Sequence, residues 1–313
     1  MRTILNYIIY TLILPACCVA SACSTGIEGT KTITMSRADK KATRLTPEEE
    51  FLNALSAAPL AGWNRGKRFY VADNKAAYVL ESIDKLPVDS LKGHILNYEY
   101  SEPYPTAGGT MATAIVFSDG ARKYRYASGK NESAARKITG LEVPMLIDLD
   151  FVAAADSMLS GKTLWTRTQL WYTPDGNPLP GKKFVPVKVK EVTEGNMVFP
   201  LRVVFEDADG RTAFQFMGVS AGEGLRGETR TFPSLYYLGD PREKYTAIAP
   251  DVWQLIQEGK VRAGMTKAEC KLSLGNPNEV DAGHNWSNTI DVWTYSDGTF
   301  LYFEDGLLVK YRH

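Results

Sequence analysis

The chain has 313 residues, a length that allows two or three domains. Its hydrophobic content of 44% is ordinary for a globular protein. Lys and Arg together number 36, as do Asp and Glu, so the sequence lacks the basic character of a nucleic-acid-binding protein. We therefore expect no nucleic-acid partner.

The first 22 residues have the features of a targeting signal. A positive charge at position 2 precedes the mostly apolar run Ile4–Leu14, and the small residues Val19–Ala22 then precede Cys23. Small residues before a cysteine resemble the lipobox of bacterial lipoproteins, in which cleavage occurs before the cysteine and the cysteine carries the lipid. Cys17 is a competing site, disfavoured by the proline two residues before it.

A transmembrane helix is the alternative interpretation of this segment, but the apolar run is shorter than the roughly 20 residues that a span needs. We therefore predict a signal peptide at residues 1–22 and lipid attachment at Cys23. The implied location is the outer membrane of a Gram-negative bacterium, with the protein facing the periplasm or the outside. Only Cys270 would then remain as a thiol, so no disulfide can form within the chain.

Residues 23–45 are predicted to be a solvated tether because Ser, Thr, Gly and Lys dominate after Cys23. A helix is predicted to follow. Thr46 is a suitable N-cap, Pro47 stands at the first helical position, and three glutamates follow in the first turn, where the helix dipole favours them. We assign this helix and a first β-domain to residues 46–160.

The next 150 or so residues are mostly β in pattern and contain two similar stretches. Gly66–Val71 resembles Gly161–Thr166, and Ala114–Tyr126 resembles Val203–Phe216 in having a strand, an Asp-Gly turn and a strand. Two explanations remain open, an internal repeat and a coincidence among β-proteins. Short strands with tight turns predict one or two small SH3-like barrels, the second over residues 161–248.

The last third of the chain, residues 249–313, begins with two predicted helices. Thr266 and Glu269 form a capping box, and Gly275 is predicted to end the helix in the left-handed C′ conformation. This places a helix at about Lys267–Leu274, with Met265 and Cys270 positioned for a hydrophobic staple. An earlier helix carries apolar residues at 252, 253 and 256 on one side.

A three-stranded meander is predicted next, over Ile290–Tyr295, Thr299–Phe303 and Leu307–Tyr311, with Asp-Gly turns between the strands. Side chains of a strand alternate between the two faces of a sheet. Alternation assigns seven residues to the face packed on the helices: Trp293, Tyr295, Leu301, Phe303, Leu307, Val309 and Tyr311.

Four segments in this order resemble the SmpA/OmlA (BamE-like) family of bacterial lipoproteins: Gly264–Thr266, Leu274–Pro277, Trp293–Tyr295 and Phe303–Gly306. The resemblance implies an α-α-β-β-β module related to β-lactamase-inhibitor-protein domains. It also implies a protein-binding role without catalysis. The fold class expected for the whole chain is therefore β-rich α+β.

No catalytic or metal-binding constellation emerges from the titratable residues. The three histidines, His94, His284 and His313, lack metal-site spacing, and Cys270 is predicted to be a buried structural residue. Asp148 and Asp150 alternate with apolar neighbours, which predicts the solvent side of a strand before a helix at 151–159. We expect no catalytic residue, metal or cofactor, and no enzyme activity.

Aromatic residues are candidates for anchoring an interface or a glycan, although core packing is the preferred interpretation for each. The sequence groups them as Tyr98, Tyr100 and Tyr104; Trp171 and Tyr172; Tyr236 and Tyr237.

The outer face of the meander is the predicted partner site. Its candidates are Trp286, Ile290, Val292, Phe300, Tyr302 and Leu308. An apolar face of this kind needs cover, either from the preceding β-domain or from another protein. We expect a non-catalytic, lipid-anchored cell-envelope protein that binds or scaffolds an envelope protein. A polysaccharide- or peptidoglycan-binding lipoprotein is the alternative.

Overall fold

The computed structural model describes residues 44–84, 90–219, 230–285 and 288–312, apart from the side chains at 284, 285 and 288. The chain divides into two units, Met1–Arg44 and Leu45–His313, and the description concerns the second. The predicted signal peptide, Cys23 and most of the predicted tether therefore lie outside the described residues. Three antiparallel sheets and a smaller helical content confirm the β-rich α+β class. In the described ranges, no helix has both the length and the apolar character needed to cross a membrane.

The described helices are mostly short. The α-helices are α1 Pro47–Ala54, α2 Ala76–Val79, α3 Glu132–Ala135, α4 Leu149–Leu159, α5 Phe232–Leu235, α6 Pro250–Gln257 and α7 Lys267–Leu274. Single 3₁₀ turns occur at Leu60–Gly62, Gly140–Glu142 and Pro241–Lys244.

The first sheet has the strand order β2-β5-β4-β3-β1-β6. Its strands are β1 Arg68–Val71, β2 Leu80–Ser82, β3 Ile95–Pro105, β4 Met111–Ser118, β5 Lys123–Ala127 and β6 Leu146–Asp148. Its core is apolar and aromatic, with Phe69 packed edge-on against Phe117 at a centroid distance of 5.3 Å.

The second sheet has the strand order β13-β7-β10-β11-β12-β8-β9. Its strands are β7 Thr163–Thr166, β8 Leu170–Tyr172, β9 Pro178–Pro180, β10 Pro186–Glu194, β11 Leu201–Asp207, β12 Thr212–Met217 and β13 Tyr236–Tyr237. Helix α4 packs against β10, and the residues of α1, α4 and this sheet share one hydrophobic core.

The two sheets have the same topology. Read from the other end, the order β8-β12-β11-β10-β7-β13 matches β2-β5-β4-β3-β1-β6 strand for strand, with β9 added at one edge. The first strand of each three-stranded meander, β3 in the first sheet and β10 in the second, carries a bulge, at Glu99 and at Lys190. The similar stretches found in the sequence therefore occupy equivalent places in the two sheets.

Equivalent glycines begin the two copies. Gly66 has φ of 90° and Gly161 has φ of 79°, a backbone conformation that favours glycine. The Gly66 N–H donates to the Tyr98 carbonyl at 2.7 Å, and the Gly161 N–H donates to the Val189 carbonyl at 2.9 Å. In both copies the accepting residue immediately precedes the bulge.

The lysines that follow these glycines differ. Lys67 is buried, and its ammonium lies 2.6 Å from a carboxylate oxygen of Asp148 and 2.6 Å from one of Asp150, whereas Lys162 is exposed. Asp148 also accepts hydrogen bonds from the backbone of Asp150 and Phe151, which caps α4. The prediction that Asp148 faces solvent is therefore wrong. The strand turns directly into a helix at this residue, so the alternation that supported the prediction ends there.

The third sheet has the order β14-β15-β16-β17. Its strands are β14 Glu279–Asn285, β15 Asn288–Thr294, β16 Phe300–Glu304 and β17 Leu307–Arg312. The predicted module had three strands, and the structure adds β14 as a fourth. Gly, Asp and Asn are depleted in strands generally, so the sequence of β14 gave little β signal. Its pairing with β15 supplies the missing stabilisation.

The helices of this module follow the sequence closely. Helix α7 has the predicted bounds, and Thr266 and Glu269 form the predicted capping box. Gly275 has the expected positive φ of 91°, but its ψ of −166° lies outside the left-handed helical region that we predicted. Such φ and ψ values are essentially restricted to glycine. Met265 and Cys270 are both buried in the core between helices and sheet.

Phe184 joins the third sheet's module to the second sheet. It precedes β10, has φ of 54°, and stacks on Trp253 of α6 at a centroid distance of 5.4 Å. The Lys183 N–H donates to the Gln257 carbonyl at 2.9 Å, and the Lys183 ammonium donates to the Ser273 carbonyl near the end of α7. The module is therefore docked on the second sheet through apolar and polar contacts.

Candidate functional site

The outward face of the third sheet, which we call the terminal sheet face, is formed by alternate residues of four strands. Directly paired residues share a face of a sheet. The register gives three rows across the strands: Glu279, Thr294, Phe300 and Arg312; Asp281, Val292, Tyr302 and Lys310; Gly283, Ile290, Glu304 and Leu307.

Four of the six predicted partner-binding residues lie together on this face. Ile290, Val292, Phe300 and Tyr302 occupy the two central strands and are partly exposed. None of the four belongs to a hydrophobic core of the described residues or to the side chains packed against one. The two middle strands thus give the terminal sheet face an apolar centre. Trp286, the fifth candidate, lies outside the described residues.

Leu308, the sixth candidate, is on the opposite face. It is 1% exposed and belongs to the core against the helices, whereas the neighbouring Leu307 is 47% exposed. A bulge in β17 explains the reversal, because Tyr302 pairs with Lys310 while Phe303 pairs with Leu308, which leaves Val309 as the extra residue. The assignments of Leu307 and Val309 to the buried face are therefore wrong, since both are exposed. Tyr311 pairs with Leu301 on the helix side, as predicted, but it is 44% exposed at the edge of the sheet.

Opposite charges flank the apolar centre. Glu279 and Asp281 on β14 form an acidic edge, and Lys310 and Arg312 on β17 form a basic edge. All four are exposed, and none forms an ion pair with another residue in the described ranges. Sequence reasoning missed the acidic edge because it predicted that the meander begins at Ile290, after β14. The alternation of Glu279, Asp281 and Gly283 was the available signal.

Tyr302 and Glu304 are neighbours on the terminal sheet face. Partial burial raises the pKa of Tyr302, and the hydrogen bond with the Glu304 carboxylate raises it further. The phenol is therefore neutral and a hydrogen-bond donor at physiological pH. It places a polar group beside the apolar centre, a combination common in protein interfaces.

The face is supported by a tightly packed layer beneath it. Trp293 and Phe303 lie 4.8 Å apart between ring centroids, and Leu301 and Phe303 are fully buried. The Lys267 ammonium of α7 also pairs with Asp291 of β15. Because alternate residues of the same strands are fixed in this layer, the outward side chains project from a rigid base.

Cys270 has no feature of a nucleophile. It is fully buried, and burial raises the pKa of its thiol to about 12, with a further contribution from the Glu269 charge. A reactive cysteine requires a lowered pKa and access to solvent. This agrees with the predicted structural role.

The acidic segment at 206–210 is a hairpin turn. The Asp207 carboxylate accepts hydrogen bonds from the backbone of Asp209 and Arg211 and pairs with the Arg211 guanidinium at 2.6 Å. Burial alone would raise the pKa of Asp207, but the bonds from Arg211 outweigh it and lower the pKa. Within the described ranges, no group of three or more His, Cys, Asp or Glu side chains is arranged to hold a metal ion.

Five of the seven aromatic candidates divide into two classes, and the other two, Tyr172 and Tyr237, are partly buried. Tyr98, Trp171 and Tyr236 are buried in cores, as the packing interpretation predicted. Tyr100 and Tyr104 instead lie on the outer face of the first sheet, where Lys123 and Arg125 stand 5.4 and 5.2 Å from their ring centroids.

A cleft of about 770 Å³ lies on the other side of the first sheet, beside Trp63, Tyr98 and Arg136. The rings of Trp63 and Tyr98 are almost fully buried, so they offer little surface to a ligand. The terminal sheet face is the better candidate, because its apolar side chains are the accessible ones.

Comparison of the chain with protein-family models, with curated proteins and with solved structures found no match.

Proposed function

We propose that this protein is a non-catalytic, lipid-anchored cell-envelope protein that binds a protein partner through the terminal sheet face. The observation that carries the proposal is the outward apolar centre of Ile290, Val292, Phe300 and Tyr302. An antiparallel sheet with one face in water is normally polar on that face. Aromatic residues flanked by charge are typical of the centre and rim of a protein interface.

The lipid anchor is part of the proposal and rests on the residues preceding Cys23. It would hold the protein at the outer membrane of a Gram-negative bacterium, facing the periplasm or the outside. Replacing Cys23 by Ala should release the protein from the membrane fraction. If the variant still incorporates a palmitate analogue, Cys23 is the wrong site and Cys17 becomes the candidate.

The finer fold assignments belong to the same proposal. The strand order supports an SH3-like arrangement for both larger sheets. In the first, the meander β3-β4-β5 lies beside β1 and the last strand returns to pair with β1, and in the second the meander β10-β11-β12 lies beside β7 and β13 pairs with β7. The two helices before the third sheet support a BamE-like module, whose relatives bind proteins. Fold alone does not establish function, so the sheet face remains the main argument.

Partner binding can be tested by photo-crosslinking in intact membranes. A crosslinking amino acid at Thr294, on the terminal sheet face, should give adducts with protein, and the same group at the exposed Lys162 of the second sheet should give none of them. The double variant Phe300→Thr, Tyr302→Thr keeps residues that favour strands and removes the aromatic surface. It should abolish the adducts; unchanged adducts would contradict the proposal.

Polysaccharide binding is the second candidate, and the outer face of the first sheet is the observation that favours it. Tyr100 and Tyr104 point to the same side of β3, where they pair with Val116 and Ala112 of β4. Four strand residues separate the rings by about 13 Å, and tyrosine rings offer flat apolar faces to sugars. Sedimentation with purified peptidoglycan, lost on Tyr100→Ala and Tyr104→Ala, would support this function.

A further inference from the structure

The two edges of the terminal sheet face carry equal and opposite charge. The acidic edge has Glu279 and Asp281, and the basic edge has Arg312 and Lys310 in the same two rows. Each of these two rows therefore runs from an acid through two uncharged central residues to a base, whereas the third row has uncharged ends. Two copies of such a surface are complementary when one copy is turned so that its acidic edge faces the basic edge of the other.

The required rotation is a twofold axis parallel to the strands, placed above the middle of the sheet. After this rotation, β14 of one copy lies opposite β17 of the other, and each row lies opposite the same row of the second copy. Glu279 then faces Arg312 of the second copy, Asp281 faces Lys310, and each pairing occurs twice. Closed twofold symmetry is the commonest arrangement of soluble oligomers, because one self-complementary patch satisfies both subunits.

The uncharged residues also match under this rotation. Val292 of one copy faces Tyr302 of the other, and Thr294 faces Phe300. In the third row the exposed Leu307 faces Gly283, around which a Cβ atom would find nothing within 4 Å, and Ile290 faces the charged Glu304. The one apolar outward side chain of β17 in these rows thus meets the smallest residue of β14.

We propose that the occupant of the terminal sheet face is a second copy of this chain, packed face to face about this twofold axis. The inference rests on the proposed protein-binding role of the face and names the partner. Two sheets packed in this way form a sandwich of the kind found within single domains, with the apolar central strands in contact.

The size of the face sets the expected affinity. Four strands at about 4.8 Å and six residues at about 3.3 Å give a face roughly 20 Å on each side. This is smaller than the roughly 800 Å² per partner of a standard stable interface, so the free proteins should associate weakly. Anchoring both copies in one membrane would raise their effective concentration, which favours a weak dimer.

Charge reversal offers a test that only a symmetric dimer can pass. The variant Lys310→Glu, Arg312→Glu makes both edges acidic, and the variant Glu279→Lys, Asp281→Lys makes both edges basic. Two differently tagged full-length chains, each with the photo-crosslinker at Thr294, are expressed in the same cells. Crosslinked species of twice the chain mass are then scored by tag.

Wild-type chains should crosslink to each other. Each variant alone should lose this crosslink roughly tenfold or more, because like charges then face each other at both edges. Co-expression of the acidic and basic variants should restore it, since every edge again meets its opposite. The control Lys75→Glu, Lys137→Glu makes the same change in net charge at exposed sites near the first sheet and should leave the crosslink unchanged.

Two results would overturn the inference. One is self-crosslinking of either variant at the wild-type level. The other is a yield of crosslinked dimer on co-expression that does not exceed the yield of each variant alone. If Thr294 crosslinks a different protein and never a second copy, the partner named here is wrong while protein binding by the face stands. If it crosslinks no protein, both proposals fail.

Discussion

The two faces of the terminal sheet are built from alternate residues of the same four strands but have opposite surroundings. The inner face places Trp293, Leu301, Phe303 and Leu308 against α6 and α7 in a closed core. The outer face places apolar and aromatic residues beside water, with charges at both edges. Alternation alone produces two apolar faces here. The helices decide which of them becomes core, and the other is left available for a partner.

The largest expected effect on stability is a difference between substitutions at the neighbouring residues Leu308 and Leu307. Leu308→Ala should reduce the free energy of unfolding by about 2–5 kcal/mol, because it leaves a cavity in the core. Leu307→Ala should change it by about 0.5 kcal/mol or less, since that side chain is half exposed. Urea denaturation of both variants measures the difference. The reverse ranking would mean that β17 has no bulge and follows simple alternation.

A smaller effect is expected at Gly275, which ends α7 on the inner side of the sheet. Gly275→Val should cost about 1–3 kcal/mol, because a β-branched residue is strained at φ of 91° and ψ of −166°. No atom lies within 4 Å of a Cβ at this position, so the cost would come from the backbone alone. Gly239→Val is the matched control, since its Cβ would also meet open space without positive φ. Equal melting temperatures for the two variants would contradict the described helix end.

The inner face should also make the protein sensitive to alkali. Burial raises the pKa of Cys270 from 9.0 to about 12, and burial together with the neighbouring Cys270 and Asp297 raises the pKa of Tyr295 from 10.0 to about 12. A raised folded-state pKa gives stability that is fully present below the unfolded value and is lost as pH rises toward the folded value. Stability should therefore fall between about pH 9 and pH 12.

Cys270→Ala tests the contribution of the thiol. At about pH 10.5 the thiol accounts for up to about 2 kcal/mol of the loss, from the distance between that pH and its ordinary pKa. The variant should be less stable than wild type at pH 8, because of the small cavity, but should lose less between pH 8 and pH 10.5. Parallel pH profiles for the two proteins would show that the thiol does not titrate in this range.

The smallest stability effect is expected on the outer face. Phe300→Thr with Tyr302→Thr should change the free energy of unfolding by about 1 kcal/mol or less, because threonine also favours strands and the side chains are outside the core. Differential scanning calorimetry of the full chain provides the measurement. A loss as large as that of Leu308→Ala would show that the face belongs to the protein's own core, and the partner surface would then have to be sought on the larger sheets.

Local patterns predicted much of this comparison. The bounds of α7, its capping box, and the outward positions of Ile290, Val292, Phe300 and Tyr302 follow from side chains that act on their own backbone or on adjacent strands. They could not predict β14, whose residues have weak strand preference, because its pairing with β15 stabilises it. The acidic edge of the candidate site was missed for the same reason.

The equivalent pairs Gly66-Lys67 and Gly161-Lys162 show which features are local and which depend on the rest of the fold. Backbone preferences of single residues account for the positive-φ glycines at 66 and 161 and for the Asp-Gly turn later in each copy, so these features are local. Long-range packing instead determines that Lys67 is buried against Asp148 while Lys162 is exposed. Burial depends on which distant segment packs over a residue, and a charged side chain is buried only where that segment supplies its counter-charge.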